Sequence, residues 1–198
     1  MLYQIHHYPA DLIDVVHLSG GQRVVIRPVL PQDQDLTSAF FNALPAASRY
    51  DRFLSPMRAL PADLLARFTH VDYADHLALV AEVFIDGHET VIAEARYVRG
   101  EDKTSAEFAI SVAEAWQGHG LAKLMLAKLS CRAAGDGITR IVGETLASND
   151  KMLHLARKAG FTVLHSPDIR GLMLLEKIIA PTEPGRGCGD TPSALAAA

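Results

Sequence analysis

The chain has 198 residues, 49% of them hydrophobic, which is enough for one domain with a substantial core and too little for two large ones. Its formal net charge is −4, with Lys and Arg scattered rather than clustered, so a nucleic-acid backbone is excluded as the principal partner. Two cysteines make a poor disulfide framework and suit a reducing compartment; with no apolar run near the roughly 20 residues of a membrane span and no secretory pattern in Met1 to Ala10, the expectation is a cytoplasmic protein away from membranes.

Taken in order, Ile13 to Leu18 and Gln22 to Val29 are β-rich runs around Ser19-Gly20-Gly21, which predicts a hairpin over about 13–29. Pro31-Gln32-Asp33 supplies a turn and a cap for a helix through Leu44, ended by Pro45. Two further helices are predicted over about 46–54 and 62–69. Arg49 and Arg52, on the first of these, read as surface salt-bridge partners in preference to ligand-binding groups.

His76 to Ile85 and Glu89 to Val98 are long strand patterns joined at Asp86-Gly87, a hairpin turn signal, and Ser105 to Val112 continues the meander. A helix over Leu121 to Ala134, a strand over Ile138 to Leu146, a helix capped within Ser148-Asn149-Asp150 and stopped by Gly160, and strands over 161–165 and 171–179 complete the list. This order predicts an α+β fold with a central mixed, mostly antiparallel sheet flanked by helices, the two late helices each crossing between neighbouring strands. The predicted domain is 1–179; from Ala180 onward Pro, Gly, Ser and Ala dominate, so 180–198 is expected to be a disordered tail whose deletion does little.

The stretch with chemical content is Trp116-Gln117-Gly118-His119-Gly120-Leu121-Ala122, between the strand ending at Val112 and the helix that follows. Glycines there let the backbone approach a bound group, and a helix N-terminus presents free N–H donors and a positive dipole end to an anion. The turn is not a P-loop, because Lys123 is not followed by Ser or Thr, and the dinucleotide pattern Gly-x-Gly-x-x-Gly fails at Lys123. A pyrophosphate cradle remains, beside the plainer reading of a tight connection.

Ala106-Glu-Phe-Ala-Ile-Ser-Val112, the turn at 116–122, Val142-Gly-Glu-Thr-Leu-Ala-Ser-Asn149 and Ala159-Gly-Phe161 resemble the successive core motifs of the GCN5-related N-acetyltransferases (GNAT). Ile26-Arg-Pro28, Arg49-Tyr-Asp-Arg-Phe53 and His70-Val-Asp-Tyr73 are similar to the bacterial protein lysine acetyltransferases within that family. The resemblance, running from about Arg23 to Lys177, implies an acyl-CoA N-acyltransferase fold with a splayed pair of central strands. It implies acetyl-CoA as cosubstrate, a pyrophosphate held by the amides of Gln117, Gly118, His119, Gly120, Leu121 and Ala122, a pantetheine arm paired with Ile110, Ser111 and Val112, and a polar contact from Asn149. It also implies a protein partner with an exposed lysine, an acyl-CoA synthetase as in the resembling group; the oligomeric state stays open.

An amine with a pKa near 10.4 arrives protonated at neutral pH and needs a proton acceptor. Glu107 matches the family's catalytic glutamate, and Glu144 on the next strand is the second choice, with a structural or substrate-orienting role as its alternative. A solvated strand glutamate is the plainer reading of Glu107 without the resemblance. The histidines show no metal-ligand spacing, and no metal is expected; His119 should contribute its backbone rather than its ring. Cys131 reads as a small core residue, which disfavours covalent transfer. Many members of the family carry a tyrosine where this chain has Ala156, so a dedicated general acid is in doubt. An acceptor other than lysine, a small amine, and a non-catalytic acyl-CoA-binding module are the competing readings.

Overall fold

The computed structural model describes residues 8–180 and Cys188. The hairpin forms as β1 (Asp14–His17) and β2 (Arg23–Pro28), with Gly20 and Gly21 both at positive φ in the turn. After a 3-10 turn come α1 (Gln34–Ala43), α2 (Ala46–Phe53) and α3 (Ala62–Thr69). Asp33 does not cap α1 with its side chain as expected; the carboxylate turns back to accept from Arg27 and from the Leu30 backbone N–H. Then follow β3 (His76–Ile85), β4 (His88–Arg99), β5 (Ser105–Val112), α4 (Leu121–Gly135), β6 (Arg140–Leu146), α5 (Asp150–Lys158), β7 (Thr162–His165) and β8 (Leu172–Ile178).

The eight strands form one sheet in the order β1-β2-β3-β4-β5-β6-β8-β7. Every pairing is antiparallel except β5 with β6, as the mixed, mostly antiparallel expectation requires. One crossover differs from that expectation. α4 does link neighbours, but α5 leads to β7, and β8 lies between β7 and β6. The last two strands pair with each other as a hairpin, and β8, the later one, takes the place against β6.

Alternation along the strands divides the core into two layers. Leu77, Leu79, Ala93, Ala95, Tyr97, Ala106 and Phe108 face α4 and α5, where Leu121, Met125, Leu129, Leu153, Ala156 and Phe161 meet them. On the opposite face Ala78, Val80 and Val91 pack against Phe40, Phe41, Leu44 and Phe68 of α1 and α3. Lys128 of α4, with no exposed surface, reaches Asp14 of β1 at 2.7 Å and ties the edge strand to that helix.

Cys131 is not the free core residue expected: it is disulfide-bonded to Cys188, 57 positions away, with the Cα atoms 5.7 Å apart. Cys188 is buried in the α4 layer, so the chain after Ala180 returns to the domain at that point. The expected disorder of 180–198 otherwise concerns residues outside those described. Among the described residues no helix is long and apolar enough to cross a membrane.

Candidate functional site

β5 and β6 hold each other over three residue pairs, Ser105 with Arg140, Ala106 with Ile141 and Glu107 with Val142. Beyond that point each strand keeps its outer neighbour, β4 following β5 to Val112 and β8 following β6 to Leu146, while the two central strands part. The result is a wedge that opens toward the C-terminal ends of both strands, with Glu107 and Val142 at its throat. On the α4 side the throat is filled by the Phe108 ring, tilted at 39° against Phe161 with the centroids 4.8 Å apart. Gly143 is required there: a Cβ at that position would lie 2.6 Å from Phe108 Cε1.

The strand edge bared on β5 runs through Ile110, Ser111 and Val112. Ile110 and Val112 turn their side chains into the α4 layer, whereas Ser111 faces the other side, opposite Glu94. From Val112 the chain passes through a 3-10 turn (Glu114–Trp116) into Gln117, whose side-chain amide donates to the Val112 carbonyl at 2.9 Å. Gly118 and Gly120 then sit at φ of 80° and 81°, a region that L-residues with a Cβ rarely enter, and Gly120 is the N-cap of α4. A Cβ at Gly118 would meet nothing within 4 Å, so the turn's outer surface is open.

Among the described residues the N–H groups of Gly118, His119 and Gly120 find no acceptor. With the first amides of α4 they form a cluster of donors at the positive end of a 15-residue helix. Leu121 is buried and can offer a ligand only its backbone; the ring of His119 has a buried Nδ1 without a hydrogen-bond partner among the described residues. Asn149 acts as the N-cap of α5, its Oδ1 accepting from the Met152 N–H at 3.0 Å. Sequence reasoning missed Lys151, whose Nζ reaches Gln117 Oε1 at 2.8 Å and brings a cation to the rim of the turn.

Glu107 and Glu144 are both exposed, on the face away from α4, and line a groove of about 440 Å³ with Val142, Leu164, Leu174 and Glu176. Glu176 is engaged by Arg140 at 3.0 Å. The groove lies over β6, β8 and β7, and α2 packs on β5 and β6 beside it.

Arg52 is the second residue that the sequence did not place correctly. It lies beneath α2, its guanidinium over the rings of Phe53 and Phe68 and 3.8 Å from Glu94, with buried Nε and Nη2 that find no hydrogen-bond acceptor among the described residues. Burial pushes Arg52 below its ordinary pKa, with Glu94 and then Glu107 drawing it back up and Arg96 lowering it further. Glu94 also binds Arg96, which stacks 3.6 Å over Phe68 and donates to His76 Nε2 at 3.1 Å. Burial first, and the Arg96 charge second, push His76 down to about 4, so it is neutral near pH 7. Arg49 makes no ion pair among the described residues: its guanidinium clasps the carbonyls of Asn42, Leu44 and Met57. Ala156 is wholly buried and offers no proton donor.

A family model described as the Acetyltransferase (GNAT) family matches residues 40–161. An acetyltransferase of Pseudomonas aeruginosa is 30% identical over 154 residues, 78% of this chain and 83% of that protein. Acetyltransferase Pat of Mycolicibacterium smegmatis is 31% identical over 169 residues, 85% of this chain and 49% of its own length, so the chain spans about half of that relative. Among solved structures, the GNAT domain of S. lividans PAT has a TM-score of 0.79 at 32% identity and covers 87% of this chain and 100% of that one.

Proposed function

Because the chain belongs to the acetyltransferase (GNAT) family, we propose that it moves the acetyl group of acetyl-CoA to a protein lysine side chain by direct attack in a ternary complex. The observation that carries this reading is the wedge: a bared strand edge and a helix N-terminus on one side of the throat, a carboxylate and an open groove on the other. We also read the described elements and residues 1–179 as a single catalytic domain.

Each part has a task set by chemistry. The unpartnered amides of Gly118, His119 and Gly120 and those opening α4 suit a pyrophosphate, whose charge the dipole end favours. Ile110, Ser111 and Val112 would offer backbone groups to the amides of a pantetheine arm, Asn149 would offer its side-chain amide, and a backbone N–H on the bared edge of β5 would be available to the thioester oxygen where negative charge develops. Acetyl-CoA, when bound, supplies the activated acyl group.

Glu107 takes the proton from the incoming ammonium, directly or through one water, so that a neutral amine attacks. A thiol with a pKa near 8.5 can leave as the thiolate or take a proton from water, which agrees with the absence of a donor at Ala156. The groove's exposed lining favours a segment of another protein over an enclosed small amine. An assay of labelled acetyl transfer from acetyl-CoA into candidate proteins, run beside a panel of free amines, tests the reading: incorporation into lysine is expected, and label only in free amines overturns it.

A further inference from the structure

The groove that carries Glu107 also carries a second carboxylate without an ion-pair partner among the described residues. Of the three glutamates lining it, Glu176 is neutralised by Arg140 at 3.0 Å, while Glu107 and Glu144 make no ion pair with a described residue. Register puts Glu107 opposite Val142, with Glu144 two residues further along β6, on the same face because strand side chains alternate. Neighbouring strands are about 4.8 Å apart and two residues advance about 6.6 Å, so the backbones of the two glutamates are separated by about 8 Å or more where the strands diverge. The floor around them is apolar, formed by Val142, Leu164 and Leu174.

That spacing fits an extended chain. Residues two apart in such a chain are about 6.6–6.8 Å apart and point the same way, and the long stems of Lys and Arg can lie on apolar surface while their charged ends make up the remaining distance. Resting on the acceptor reading above, we infer that Glu144 is a specificity residue that binds a second cation, a Lys or Arg two positions from the reacting lysine. Val142 and Leu174 support the aliphatic stems, and Arg140, paired with Glu176, closes the far end of the groove to a further cation. The partner segment is therefore an extended basic stretch with a lysine and a second basic residue in alternate positions.

The test uses peptides with one acceptor lysine and Arg, Ala or Glu two positions before or after it. With the wild-type protein, kcat/KM for one of the Arg peptides should exceed that for its Ala counterpart by about five- to tenfold, the difference lying mainly in KM. Glu144→Gln should bring that ratio toward one, and Glu144→Arg should reverse it in favour of the Glu peptide. A wild-type ratio of one in both registers, or a ratio that survives Glu144→Arg, overturns the inference.

A second arm needs no turnover: fluorescence polarisation of the same peptides, norleucine replacing the acceptor lysine, measured with free CoA present. Preferential binding of the Arg peptide that Glu144→Arg abolishes supports the docking role, and equal or absent binding overturns it. If that preference holds while no peptide is acetylated, the acceptor assignment fails and the docking surface stands.

Discussion

Glu107 of β5 pairs in register with Val142 of β6, and theirs is the last pair before the two strands separate. The proposed base therefore sits at the throat of the wedge and on the open face of the sheet. Glu107→Gln keeps the side chain's size and removes the proton acceptor. Acetyl-CoA binding should survive while turnover falls by roughly 10² or more. As pH rises toward the lysine pKa near 10.4, more amine arrives neutral, so part of the loss should be recovered at high pH. Glu144→Gln should cost less at pH 7; pH–rate profiles of both variants check this, and wild-type turnover by Glu107→Gln would remove it from the chemistry.

Gly120 caps α4 at φ 81°. Gly120→Val forces a β-branched residue into that region and narrows the approach to the unpartnered amides. Calorimetric titration should show weaker acetyl-CoA binding than for wild type, and equal affinity would take the turn out of the cosubstrate site.

Gly143→Ala places a methyl group 2.6 Å from the Phe108 ring. Overpacking of this kind costs about 1–3 kcal/mol, and Phe108→Leu in the same chain should return part of it. Urea titrations of the two single variants and the double variant read the coupling directly.

His76 has a folded-state pKa near 4, below its ordinary value of 6.5. Between those values the unfolded chain binds the extra proton, so this histidine's contribution to stability is complete above about pH 6.5 and is lost as pH falls toward 4. The full loss is on the order of 3 kcal/mol, about 1.4 kcal/mol for each pKa unit. His76→Gln should flatten the fall in stability over that window relative to wild type, read as the difference between two denaturant series; parallel curves would deny the buried neutral imidazole.

The disulfide predicts the opposite of the expectation that deleting the chain after Ala180 does little. Cutting after Ala180 removes Cys188, and a cross-link across 57 residues contributes about 4 kcal/mol on chain-entropy grounds. Truncation, or reduction with dithiothreitol, should lower the melting temperature by several degrees; unchanged melting in both cases would show the bond to be idle.

What the sequence made legible was local. The 3.6-residue and alternating patterns, the Asp86-Gly87 turn, Gly120 ahead of an apolar helix and Gly160 behind another all act within a few residues of themselves. The pairs that it hid are long-range. Arg52 lies in a short helix with a polar pattern, and only the placement of α2 on the sheet puts its guanidinium between Phe68 and Glu94. Cys188 stands among Gly and Pro with no periodicity, so its return to Cys131 has no local signature. The same holds for β8, which lies beside β6 although α5 and β7 come first. For the candidate site, the motif located the throat and the turn; Lys151, Gly143 and the Glu176–Arg140 pair needed the register to be seen.

Three residue pairs join the two halves of the sheet, whereas β4 and β5 share an unbroken ladder from Ala93 to Arg99, as do β6 and β8 along the whole of β6. Mechanically, that makes the sheet two stiff plates with one narrow hinge line, and elastic compliance concentrates where the ladder is thinnest. A small torsion about Ser105 to Glu107 would be magnified at Val112 and Leu146, because those residues lie four or more positions beyond the last β5–β6 pair. On that mechanical reading the width of the opening would be set from its closed end, where the Phe108 ring packs over Gly143.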